Sequence, residues 1–260
     1  MELQQAANAG VTSSHDTSAG KALALLDALG GPRSVMGVSE LAQIANLPKS
    51  TAHRLLTVLI DSGYVRRVDD KYALSTRTFE LGNRIAVARA NGLRERAMPI
   101  LSELYAQTRE TVHLAVPARS SVLYLEKLFG PDSVKVNTAV GARRPLHATA
   151  LGKAIMAFGD PESGPPPLRL RRLTAFTIAS PDLMQRTLDK VRNEGYATDF
   201  EESALGLSCL AVPVFDRRTA LPVAALSIAV GLGGRSVLRY RNVMLEAAEQ
   251  MSGFVSTLVA

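Results

Sequence analysis

Residues 39–74, SELAQIANLPKSTAHRLLTVLIDSGYVRRVDDKYAL, decide how the first third of this chain folds. Leu41, Ala42, Ile44 and Ala45 give a two-turn apolar period, with Ser39 expected to cap it, and Asn46-Leu47-Pro48 ends it. A second helix is expected almost at once. Pro48 suits its first position, and Ala52, Leu55, Leu56, Leu59 and Ile60 fall on one stripe, leaving Lys49, Ser50, Thr51, His53, Arg54 and Thr57 mainly off it. After Asp61-Ser62-Gly63 the period drops to two: Tyr64 to Val68 reads as a strand, Asp69-Asp70 as a hairpin turn and Lys71 to Leu74 as the return. Two helices joined by a tight turn and followed by a basic hairpin make a winged helix-turn-helix.

That pattern suits DNA. A recognition helix lies in the major groove and needs polar and basic residues on its outward face. Arg54 suits a guanine edge or a phosphate; Lys49, Ser50 and Thr51 near the helix start, with His53, suit either target. Arg66, Arg67 and Lys71 would add phosphate contacts from the wing. The plainer reading is that these charges only solvate a small helical domain. Their direct succession along the chain favours DNA.

Charge distribution points the same way. The 260 residues carry a net charge of +6, and residues 46–96 hold ten basic against five acidic side chains. With 47% hydrophobic and 21% charged residues the chain is too apolar to be intrinsically disordered. The single cysteine, Cys209, cannot form an internal disulfide, and four histidines without a paired spacing argue against structural zinc. No metal or other cofactor is expected. No run approaches ~20 uninterrupted apolar residues and the N-terminus lacks a signal-peptide pattern, so a cytoplasmic protein with no membrane partner is expected.

Working outward, residues 1–17 read as a disordered tail, and 18–75 as the DNA-binding domain, opened by a helix through Leu23, Leu25, Leu26 and Leu29. Residues 76–92 read as a linker and dimerisation helix with Phe79, Ile85 and Val87 on its apolar face. Residues 93–260 read as a second, α+β domain. Its expected elements are a helix at 93–108, strands at 111–117, 121–129 and 134–138, and a helix at 148–158. A proline-rich loop at 164–167, a helix at 181–194, strands at 209–215 and 222–230 and a helix at 236–257 follow.

Chemistry in this domain is sparse. Cys209 begins a strand, and only His113 and His147 are available there as a base; a buried structural thiol is the commoner fate of a lone cysteine. A cysteine-dependent hydrolase or transferase with an N-terminal interaction module is the alternative from another class. Asp199, Glu201 and Glu202 resemble an acid/base cluster, though surface loops often carry such carboxylates. Thr149 begins a helix after Arg143-Arg144-Pro145, and the amides of such an end attract anions.

The segments SAGKALALLDAL, VSELAQIANLPKSTAHRLLTVLIDSGYVRR and YALSTRTFELG resemble the IclR-type bacterial transcriptional regulators. GARRPLHATALGKAIMA, LDKVRNEGYATDFEESALGLSCLAVPVFD and AALSIAV are similar to that family's effector-binding domain. The resemblance covers about residues 18–258. It implies a winged helix-turn-helix, a dimerising linker helix and a GAF-like antiparallel sheet with flanking helices. It also implies binding to double-stranded operator DNA, assembly as a homodimer or a tetramer built of two dimers, and a small organic acid as effector. Ligand-contacting positions carry over to Ala150, Leu151, Asp199, Cys209 and Ser227. Two departures matter. Ala229 stands where some relatives that bind two- or three-carbon keto acids have a second serine, and Leu151 replaces a smaller residue. Fewer hydroxyls and more apolar wall favour an aromatic or longer carboxylate, with Arg143 or Arg144 as its counter-charge. The chain is expected to act as a ligand-responsive regulator, a repressor, and not as an enzyme.

Overall fold

The computed structural model describes residues 17–31, 33–85, 87–89, 91–159, 170–233 and 236–255, and divides into two compact units at Ile85/Ala86. The tail before Thr17 and the proline-rich loop at 164–167 lie outside the described residues.

In the first unit, α1 (Ser18–Leu29) is capped by Thr17, whose hydroxyl accepts from Gly20 N at 3.1 Å. α2 (Val38–Ile44) and α3 (Lys49–Asp61) form the helix pair. Their starts differ by a residue or two from expectation. Gly37 occupies the cap position of α2 and Ser39 lies inside it, while Pro48 caps α3 rather than opening it. Between them Asn46 takes a left-handed φ of 53°, a conformation asparagine tolerates better than most side chains, and this makes the turn tight. Ala52, Leu55, Leu56 and Leu59 of α3 pack with Leu25, Leu29 and Leu41 into the core of the unit. The hairpin β1 (Val65–Val68) and β2 (Lys71–Leu74) pairs Val65 with Leu74 and Arg67 with Tyr72. Met36 and Tyr72 exchange backbone hydrogen bonds at 3.0 and 2.9 Å, which seats the wing against the segment before α2.

The linker is shorter than expected. α4 spans only Thr76–Gly82, capped by Ser75, and the described residues among 83–92 form turns and bends instead of continuing the helix expected over 76–92. Gly82 and Asn83 at this point weaken helical continuation, and the side chains of α4 make no core to offset that: none of them is buried.

The second unit is a six-stranded antiparallel sheet in the order β5-β4-β3-β8-β7-β6, covered by helices on both faces. Its strands are β3 (Thr111–Ala118), β4 (Ser121–Leu128), β5 (Arg143–Pro145), β6 (Ala197–Phe200), β7 (Leu207–Asp216) and β8 (Leu221–Gly231). Side chains alternate between faces along each strand. Val112, Leu114, Leu210, Val212, Leu226 and Ile228 meet α5 (Leu93–Thr108) and α8 (Arg241–Val255) in one core. Ala115, Ala211 and Ala225 belong to the other core, with α6 (Ala150–Ala157) and α7 (Pro181–Glu194). Large aliphatics fill the first face and alanines the second, so α6 approaches the sheet closely. Gly152 allows the tightest point of that helix: a Cβ there would stand 2.1 Å from the Leu146 carbonyl oxygen.

Two expectations fail here. Residues 134–138 form no strand; the edge beside β4 is taken by Arg143–Pro145 instead. Also, β6 has only four residues and escaped the reading because Ala197–Phe200 (ATDF) carries a buried aspartate where an apolar residue would mark a strand. The final helix is preceded by a single 3-10 turn at Val237–Tyr240.

Candidate DNA-binding surface and effector cleft

On α3 the apolar stripe faces inward and fixes what faces out. Lys49, Ser50, His53 and Arg54 are exposed and Thr51 is half-buried. Arg66, Arg67 and Lys71 are exposed on the wing, on adjacent strands of a two-stranded ribbon. The Arg67 guanidinium lies 5.6 Å from the Tyr72 ring centre, a cation–π contact that orients it; Arg77 does the same over Tyr64 at 5.3 Å. All eight residues expected at DNA thus belong to one small unit, and none is used in its core.

In the second unit, register builds a polar row on the α6 face. Lys127 pairs with His113 across β4–β3, His113 with Ser227 across β3–β8, and Ser227 with Ala211 across β8–β7. Cys209 lies two residues along from Ala211 on the same face, opposite Asp199 of β6. Above this row a cleft open to solvent is lined from the sheet by His113, Tyr124, Cys209 and Ser227. Thr149, Ala150 and Leu151 at the start of α6, Asp199, the turn after it, and residues 136–138 complete the wall. Thr149 spends its hydroxyl on capping, accepting from Gly152 N at 3.0 Å.

The expected effector residues Ala150, Leu151, Asp199, Cys209, Ser227 and Arg144 all line this one cleft. Arg143 does not. Its neighbour Arg144 pairs with Val122, a residue of the α6-side core, so alternation sends Arg143 to the opposite side, where it is exposed and donates to the Ala118 carbonyl at 3.5 Å. The reading missed Tyr124, His113 as a wall residue, Thr138 and Ser203. Each occupies an ordinary-looking position in sequence; strand register brings His113 and Tyr124 to the cleft, and the segment at 136–138 and the turn after β6 bring Thr138 and Ser203.

The electrostatics are mixed. His113 donates or accepts through Nε2 with Thr138 Oγ1 at 2.8 Å, faces Ser227 Oγ with Nδ1 at 3.5 Å and stacks edge-on against Tyr124. Burial, with Lys127 beside it, pushes its pKa down to about 3, so the ring is neutral at pH 7. Burial raises the Asp199 carboxyl, although Oδ1 accepts from the amides of Glu202 (2.7 Å) and Ser203 (3.3 Å) and Oδ2 from Ser203 Oγ (2.5 Å). Behind the wall Lys153 of α6 forms a buried ion pair with Glu202. Burial pushes the Cys209 thiol well above its ordinary range, and the negative charge of Asp199 adds to this. That is the opposite of an activated nucleophile. His113 faces Thr138 and Ser227 rather than the thiol, so the cysteine–histidine pair of the hydrolase reading is not assembled.

No group of three or more His, Cys, Asp or Glu side chains suited to a metal occurs among the described residues.

A sequence model of the bacterial transcriptional regulator IclR C-terminal domain matches residues 85–253, and one of the IclR helix-turn-helix domain matches residues 18–69. The chain belongs to the IclR family of bacterial transcriptional regulators. It is 38% identical over 213 residues to the HTH-type transcriptional regulator KdgR of Dickeya chrysanthemi, covering 80% of this chain and 68% of that protein. To the transcriptional repressor IclR of Escherichia coli it is 34% identical, covering 80% and 77%. A crystal structure of an IclR homolog from Microbacterium hydrocarbonoxydans, complexed with 4-hydroxybenzoate, superimposes with a TM-score of 0.83 at 26% identity, covering 93% of this chain and all of that one. As an IclR-family regulator the chain pairs a DNA-binding helix-turn-helix with an effector-binding domain. The cysteine-enzyme alternative is not supported.

Proposed function

We propose that this regulator is a repressor, that it binds a pseudo-palindromic operator through α3 and the wing of two subunits, and that a small aromatic or longer-chain carboxylate in the cleft changes its affinity for DNA. Arg144 carries the acid reading: it is the arginine of a cleft whose other walls are hydroxyls, a neutral imidazole, the Cys209 thiol, the apolar Leu151, Val136 and Leu207, and the Asp199 carboxylate. An acid bound there points its carboxylate to Arg144 and away from Asp199, because like charges in a poorly solvated wall repel. A hydroxyl at the far end of the ligand finds Ser227, Ser203 or Tyr124. The homolog with bound 4-hydroxybenzoate supports an aromatic acid as the ligand class. The relation to the Escherichia coli repressor supports repression.

Phe79, Leu81 and Ile85 are exposed on α4 and just beyond it, and support assembly as a homodimer, with a tetramer as the larger form. A dimer is what two half-sites about one DNA turn apart require. We place the protein in the cytoplasm, where its operator is, and assign it no catalytic activity and no cofactor. No helix among the described residues is long and apolar enough to cross a membrane.

Two measurements test this. Arg54→Ala weakens operator binding in a gel-shift series at fixed salt by about 1–3 kcal/mol if Arg54 reads a base; undiminished binding removes α3 from the interface. A bound acid at about 100 times its Kd stabilises the protein by about 2.7 kcal/mol in thermal denaturation. If no aliphatic or aromatic acid stabilises it, the cleft is not an acid site.

A further inference from the structure

Residues 134–139 cross the cleft's edge as an irregular segment that belongs to no sheet. Burial alternates along it, with Val134, Val136 and Thr138 half-buried and Lys135, Asn137 and Ala139 exposed, as in a strand. No neighbouring strand holds its carbonyls: apart from the local turns Thr138 N to Val136 O (2.8 Å) and Ala142 N to Ala139 O (3.0 Å), side chains of the sheet hold them. Thr111 Oγ1 donates to Val134 O at 2.9 Å, and Lys127 Nζ donates to Val136 O at 2.7 Å and to Thr138 O at 3.0 Å. Arg144 donates through Nη2 to Asn137 O, and His113 meets the Thr138 hydroxyl. This explains why VKVNT has the period of a strand and yet forms no ladder.

Of the cations that hold this strap, Lys127 lies outside the cleft lining and Arg144 is part of it. We propose that Arg144 is a two-position switch: without ligand it fastens the strap at Asn137, and an anion entering the cleft draws its guanidinium away and frees the strap there. A carboxylate accepts two charge-assisted bonds from a guanidinium, each stronger than the bond to a neutral carbonyl, so the exchange runs toward the ligand. Lys127 is not exposed to that competition and keeps the strap tethered at Val136 and Thr138. Occupancy of the cleft thereby becomes a change in strap mobility, which gives the ligand a differential interaction with two arrangements of the protein. The inference rests on the reading of the cleft as an acid site.

The chain contains no tryptophan, so Lys135→Trp, on the exposed side of the strap, supplies a unique reporter in the full-length protein. Its fluorescence anisotropy is expected to fall on saturation with benzoate. Arg144→Gln in the same background is expected to show the low value already, with no further fall. Arg143→Gln, which changes an exposed neighbour, and benzyl alcohol, the neutral counterpart of benzoate, are expected to leave the anisotropy as it was. An Arg144→Gln protein whose reporter matches that of the parent overturns the proposal, as does a benzoate-bound parent whose anisotropy is unchanged or higher. Calorimetry with benzoate, 4-hydroxybenzoate, phenylacetate and hexanoate is run beside it. Absence of heat from all four removes the acid site itself and the trigger with it; heat without strap release removes only the switch.

Discussion

His113 shows how one residue's environment sets its chemistry. It is packed between Thr138, Ser227 and the Tyr124 ring with a pKa near 3, against about 6.5 in an unfolded chain. The folded state therefore resists protonation while the unfolded state accepts it below pH 6.5, so this histidine stabilises the fold less and less as pH falls from 6.5 toward 3. Asp199 and Glu202, raised by burial, act in the opposite direction between the ordinary carboxylate range and their folded pKa values. A comparison isolates the histidine. His113→Phe keeps a ring beside Tyr124 and loses the polar contacts, so it is less stable than the parent at pH 7.5, and that deficit shrinks by about 1.4 kcal/mol per pH unit below pH 6. Urea unfolding at pH 7.5 and 5.0 reads it; a deficit that does not change with pH shows that His113 is not held neutral.

Among elements, α6 and the turn after β6 depend on each other. Lys153 is 1% exposed and Glu202 7% exposed, and Thr174 and Thr177 hydroxyls hold the Glu201 and Glu202 carbonyls of that turn. Breaking such a pair from one side strands a buried charge. Lys153→Met is expected to cost about 3–5 kcal/mol, while Lys153→Met with Glu202→Leu recovers most of that loss. Thermal unfolding of the two variants decides it, and equal losses would mean that the pair is not coupled. The longest helices and strands, such as α7 and β8, were legible because their apolar periods span ten residues or more. The cleft was legible only in part. Asp199, Cys209 and Ser227 stood out through the family resemblance, but Tyr124 reaches the site by a register that includes a bulge between Leu114 and Ala115, which no local pattern in the chain announces. The strap and the short β6 were misread or missed for a related reason: in both, polar groups decide the pairing. α4 ended early because its stripe of Phe79 and Leu81 finds no core within its own unit.

At the scale of the whole molecule, the excess of basic residues between 46 and 96 falls on α3, the wing and the linker, and the remaining positive charge is spread over the sheet domain. The protein is thus a basic DNA-binding unit joined to a sheet domain with a polar cleft. Regulation requires only that an acid bind one arrangement of the protein more tightly than the other, and a coupling of about 1–3 kcal/mol corresponds to about 5- to 150-fold in DNA affinity. Selection from a random duplex pool supplies a high-affinity site for the full-length protein, which is expected to be a pseudo-palindrome with half-sites about one helical turn apart. The decisive measurement is the Kd for that duplex by fluorescence anisotropy at fixed salt, with and without an acid whose binding calorimetry has established. We expect a shift of about fivefold or more that disappears in Arg144→Gln; an unchanged Kd while the acid occupies the cleft would contradict the account.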